Sequence, residues 1–180
     1  LYIGHEAEIF GEFAFGNNTS LVDIEIKCAM PVISYGMFYG CKSLKDISLP
    51  QGVLTIGAAA FMGCTSLSSI EIPENVSVVG NMTFANCTSL SEIDITDGIW
   101  KVDQSAFYGC TSLENVTISA TVEEIGDFAF AGCTSLESLS FPNSLYSIDD
   151  DAFNGCTSLK EVTIPNGIEL IYDRAFYNCV

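Results

Sequence analysis

Basic residues are scarce in this chain. Six lysines and arginines stand against 23 aspartates and glutamates, for a net charge of −17. That balance opposes binding to nucleic-acid phosphates, which call for a basic patch, and to anionic lipid surfaces. Histidine is nearly missing, with His5 as its single copy. No G-x-S-x-G, G-x-x-x-x-G-K or H-E-x-x-H segment occurs, so no catalytic residue and no cofactor is expected. Long apolar runs are missing too, although 48% of the residues are hydrophobic, so no membrane insertion is expected. No basic-apolar-small leader opens the chain.

What the chain has instead is a period. Phe15, Phe38, Phe61, Phe84, Phe107, Phe130, Phe153 and Phe176 recur every 23 residues without a slip. Cys41, Cys64, Cys87, Cys110, Cys133, Cys156 and Cys179 keep the same step, with Asn18 in the first slot. Ser-Leu follows, from Ser20-Leu21 to Ser158-Leu159. A fixed period of this length marks a solenoid, one supersecondary unit stacked on copies of itself. The whole of 1–180 is expected to be a single array without separate caps. Leu1-Tyr2-Ile3 already sits in register with Ile24-Glu25-Ile26, so the array is expected to belong to a longer protein.

One coil, Cys64 to Cys87, shows the pattern. Ile70 and Ile72 alternate with Ser69 and Glu71, the period-two signal of a half-buried strand. Pro73 follows and stops the ladder, as Pro50, Pro142 and Pro165 do in their coils. Val76 and Val79 then face inward. Gly80 stands in a column with Gly57, Asp103, Gly126 and Asp149, suited to a positive-φ corner or a helix N-cap. The spacing from Phe84 to Cys87 matches one helical or 3₁₀ turn, closed by Asn86 as a helix C-cap would close it. The expected class is α/β and β-rich: a right-handed solenoid of about eight coils, with a parallel sheet on one face and short helical turns.

The unit L-x-x-I-x-I-P…V-x-x-I-G-x-x-A-F-x-x-C-x-S-L resembles the repeat of the BspA-like leucine-rich-repeat family over the entire chain. Departures are mild: Asn18 for Cys, Met37 and Thr83 for Ala, Asp103 and Asp149 for Gly. The resemblance implies a leucine-rich-repeat solenoid. It also implies a role in adhesion or protein recognition, at the cell surface or secreted, of the kind found in host-associated bacteria and some protozoan parasites. It carries no catalytic residues across.

The eight cysteines invite a disulfide framework. Column geometry resists it: stacked Cβ atoms follow the strand spacing of about 4.8 Å, whereas a disulfide wants about 3.8 Å. Reduced thiols acting as small hydrophobes are expected. Cys28 lies off the column, among counterparts such as Gln51, Glu74 and Asp97 that suit solvent, and is a candidate free thiol or intermolecular link. A zinc site wants converging ligands that a linear column does not supply. Asp149-Asp150-Asp151 suits a local helix N-cap better than a calcium site. No metal ligand is expected. The Ser column suits a hydrogen-bond spine to the adjacent coil. Sequons such as Asn75-Val76-Ser77 matter only in a eukaryotic secretory pathway.

Two surfaces remain. The outward positions of the first strand carry Asp23, Glu25, Asp46, Glu71, Glu92 and Asp94, a field of carboxylates among hydroxyls. Such a sheet is the recognition surface of repeat folds, and an acidic one suits a basic or polar protein partner. The bland alternative is a solubilising face. A second column carries Trp100 and Tyr146, residue types enriched at interface hot spots. Isolated exposed apolar residues are also normal. The expected function is a non-enzymatic protein-recognition or adhesion module, extracellular or at the cell surface. The alternatives are a carbohydrate or cell-wall binding module and a structural spacer.

Overall fold

The computed structural model describes residues 1–5 and 9–179. Most coils contribute two short strands. The first series is β1 (Tyr2–Ile3), β2 (Asp23–Ile26), β4 (Asp46–Ile47), β7 (Glu92–Ile95), β9 (Asn115–Ile118), β11 (Ser138–Ser140) and β13 (Glu161–Thr163). The second is β3 (Val32–Ile33), β5 (Thr55–Ile56), β6 (Val78–Val79), β8 (Lys101–Val102), β10 (Glu124–Ile125), β12 (Ser147–Ile148) and β14 (Leu170–Ile171). All pairs are parallel and join residues one period apart, such as Tyr2 with Glu25 and Lys101 with Glu124. The sequence reading expects one sheet. The structure has two faces of parallel strands, because the Val-x-x-Ile stretch also alternates outward and inward side chains and pairs with its copies.

Proline sets strand length in the first series. β2, β7 and β9 run four residues, and the residue after each is Lys27, Thr96 or Ser119. The Lys27 and Ser119 amides each donate to the preceding coil, at Ile3 and Ile95. Where Pro50, Pro142 or Pro165 takes that slot the amide is lost, and β4, β11 and β13 are shorter. Before Pro73 the segment 69–72 forms no strand at all.

The expected helical turns do not form: there is no helix among the described residues. Around Phe38, the amides of Gly36, Phe38 and Gly40 donate to the next coil, at Ala58, Ala60 and Met62. The alternate amides of Met37, Tyr39 and Cys41 close local i→i−3 turns. Left-handed residues recur at two positions per coil, such as Gly36 and Gly40 or Met82 and Asn86. They reverse the backbone before a helix can propagate. Gly or Asn before Cys is thus left-handed as expected. The Gly57, Gly80 and Gly126 column is not. A Cβ there would lie 2.7–3.0 Å from backbone of the preceding coil, so close approach favours glycine, not a positive φ. Asp149-Asp150-Asp151 therefore caps no helix. Asp150 instead accepts the Asp173 amide at 2.9 Å, and buried Asp151 holds Arg174 at 2.6 Å and Asn154 at 2.8 Å.

The core is a set of stacked columns. The eight Phe rings stack at centroid separations of 5.1–5.5 Å and interplanar angles of 3–14°. Phe38 through Phe153 are fully buried, beside the Leu, Cys and Ile/Val columns. Thr83 replaces Ala in this interior and satisfies its hydroxyl by donating to Gly80 and Gly57 carbonyls at 2.6 and 3.2 Å.

Phe107→Ala removes a ring stacked on both sides and should cost about 3–5 kcal/mol in chemical denaturation. Tyr108→Ala, at a neighbouring side chain that is 45% exposed, should stay within about 0.5 kcal/mol.

Candidate functional site

The outer face of the first strand series places Asp23, Glu25, Asp46, Glu71, Glu92 and Asp94 at the surface. They fall into two ladders one residue-pair apart along the strands. Asp23 lies directly beside Asp46, and Glu25 is drawn to Lys27 at 2.7 Å. Glu71, Glu92 and Asp94 gather around a depression of about 410 Å³ where segment 69–72 interrupts the ladder. None of the three forms a salt bridge among the described residues. Glu74, from the turn after Pro73, lines the same depression, as does Thr96. The Thr96 hydroxyl is buried without a partner among the described residues. Glu74 lies outside the strand alternation that marks the carboxylate field, and Thr96 lies one residue past the end of β7, in the slot that proline fills in other coils.

Trp100 and Tyr146 stand apart from this field, on the second face. They are 55% and 46% exposed, two coils apart, with exposed Glu123 on the rung between them. Backbone bonds stitch these rungs together: Glu123 donates to Trp100 at 2.8 Å and Tyr146 to Glu123 at 2.7 Å. Beyond them Glu124 is paired with half-buried Lys101, and Asp149 lies close by. Burial, and then a hydrogen bond with Glu124, push the Asp149 carboxyl up to about 6.

The cysteines are all free. Each of the seven column thiols donates to the Phe carbonyl of the preceding coil, at 3.0–3.3 Å. Burial pushes Cys64, Cys110 and Cys156 up to about 12, and Cys87 and Cys133 well above the ordinary thiol range. A thiol that resists ionisation is a poor nucleophile and a poor metal ligand. Cys28 departs from its expected place at the solvent. It is only 2% exposed and joins the apolar cluster that holds Met30, because a thiol behaves as a small hydrophobe where its counterparts are amides and carboxylates. The hydroxyl spine is shared between columns. Ser89 and Ser135 donate to Thr65 and Thr111 carbonyls at 2.7 Å, and Thr65, Thr88, Thr111 and Thr134 reach back one coil at 3.2–3.5 Å. Among the described residues no group of three or more His, Cys, Asp or Glu side chains is placed to hold a metal ion. Nor is any helix among them long and apolar enough to cross a membrane.

The profile of the BspA-type leucine-rich repeat region matches residues 1–112 and 54–180, with six copies. The chain belongs to this family. Solved structures resemble the BspA-type array over most of its length. A leucine-rich repeat protein from Bacteroides ovatus is 26% identical with a TM-score of 0.61, over 100% of this chain and 58% of that one. One from Eubacterium ventriosum is 32% identical with a TM-score of 0.73, over 78% of this chain and 39% of that one. A third, from T. pallidum, is 26% identical with a TM-score of 0.62, over 96% of this chain and 71% of that one. The BspA-type array thus spans less than two thirds of the first two relatives. No curated protein matches it.

Two outcomes follow for the BspA-type array. Thiol labelling of the denatured protein should count all eight cysteines, whereas the folded protein should react slowly at all but the half-buried Cys179. Asp149 titrates higher in the folded chain than its ordinary value of 3.8, so the folded state holds that proton longer than the unfolded one. Its contribution to stability is present at low pH and is lost as pH rises through about 6. Calorimetry from acid to neutral pH should show Asp149→Asn flattening this decline.

Proposed function

We propose that the array is a non-enzymatic protein-recognition or adhesion module, secreted or held at a cell surface, which binds a basic protein partner through the outer face of its first strand series. The observation that carries this reading is the depression ringed by Glu71, Glu92 and Asp94, carboxylates with no cationic partner among the described residues. Unpaired surface carboxylates beside a parallel ladder offer charge-assisted hydrogen bonds to lysine and arginine side chains. Their negative field speeds encounter with a cationic partner. The β7–β9 ladder holds Glu92 and Asp94 at fixed positions, with Glu71 facing them from the preceding coil, so little ordering of those two is required on binding. Asp23, Glu25 and Asp46 extend the same field toward the first coil. Membership of the BspA-type family supports the placement outside the cell and the lack of an enzymatic role.

Titration calorimetry with a lysine-rich synthetic peptide tests the reading. Affinity should fall with added salt, and by about tenfold or more when Glu71, Glu92 and Asp94 are changed to Gln, Gln and Asn. Equal affinity for the neutralised protein contradicts it. Binding to glycans that is lost in Trp100→Ala favours the carbohydrate reading instead.

A further inference from the structure

The second strand face changes character along its length. In its first half Val32, Leu54, Val78 and Trp100 are 48%, 50%, 43% and 55% exposed. The repeat does not need apolar groups there. The rung that carries Leu54 and Trp100 carries Glu123 and Glu169 in later coils, both exposed. An apolar stripe that the fold tolerates as carboxylate is a feature of the surface rather than of the core. Past Trp100 carboxylates join the apolar groups on this face, among them Glu123, Asp127 and Asp150, while Tyr146, Leu170 and Tyr172 stay exposed. Asp127 and Asp150 line a depression of about 330 Å³ whose walls include Tyr146 and Tyr172, themselves 46% and 49% exposed. Carboxylates and tyrosine rings lining one depression suit a lysine or arginine side chain, through charge-assisted hydrogen bonds and cation–π contact. A second copy of the chain fits poorly, since each carries a net charge of −17 and would bring acid against acid. Sugars fit the acidic half but leave branched aliphatics such as Leu54 and Val78 without a complement.

The geometry points to a second docking surface, for an extended basic polypeptide segment. Its apolar side chains lie over Leu54, Val78 and Trp100. Its lysine or arginine side chains reach Asp127 and Asp150 in the depression that Tyr146 and Tyr172 also line. This surface is separate from the first-sheet field and does not depend on it. Backbone bonds from Tyr146 to Glu123 and from Glu123 to Trp100 hold its aromatic residues on a fixed platform, which lowers the ordering cost of binding.

Trp100 is the only tryptophan, so its fluorescence reports on this surface directly. The probes are two synthetic peptides, one with an apolar run followed by a lysine–arginine run and one in the reverse order. At least one should shift Trp100 emission to shorter wavelength in a saturable way. Leu54→Glu and Asp127→Lys should each weaken that binding by about tenfold, with unchanged melting temperature for Leu54→Glu because Glu123 already occupies its rung in a later coil. Neutralising Glu71, Glu92 and Asp94 should leave it unchanged, which separates this surface from the first. The inference is overturned if neither peptide shifts the emission, or if both substitutions leave the affinity unaltered. It is likewise overturned if glycans alone perturb Trp100.

Discussion

The column of phenyl rings is the constraint from which the other features of this rod follow. Each interior ring is clamped between two others, nearly parallel and a little over 5 Å away, in full burial. A coil of any other length would carry its ring out of line, exposing two aromatic faces and opening a void in a close-packed interior. The backbone enforces the same step, because alternate amides near each ring donate to the next coil while their neighbours close local turns. With the step fixed, equal grid positions become spatial neighbours, and each surface is a ladder of one residue per coil.

Much of this was legible in the letters. The Phe, Cys and Leu columns, the inward Ile and Val residues and the strand-ending prolines are all periodic, and periodicity survives the move to three dimensions. The turn geometry was less legible. Phe-to-Cys spacing fits a helical turn equally well, and only the backbone reveals left-handed residues at Ala59, Met82, Ser105 and Phe128, types that carry no sequence signal for that conformation. Cys28 escaped because its column reasoning came from polar neighbours, while its own apolar character decided its burial. The surface carboxylates lay where alternation placed them. Glu74 joined the depression from a turn, where no period-two rule reaches, and Thr96 from the proline slot just past β7.

The two faces present different chemistry from the same scaffold. Along the first, carboxylates alternate with inward core isoleucines, which anchor the backbone that carries them. Along the second, exposed aliphatic residues and Trp100 in the first coils are followed by carboxylates set among exposed tyrosines. The interior stays chemically quiet: thiols held neutral by burial and hydrogen-bonded to Phe carbonyls contribute packing and satisfy backbone acceptors. Functional variety in such an array therefore rests on outward positions that the period leaves free.

A double-mutant cycle at Phe61 and Phe84 tests the stacking of equivalent residues most directly. Contact between the rings predicts a coupling energy of about 0.5–1.5 kcal/mol for this pair, against additivity within about 0.5 kcal/mol for Phe61 and Phe130, which stand three coils apart in the stack. Additive behaviour for both pairs would contradict the account.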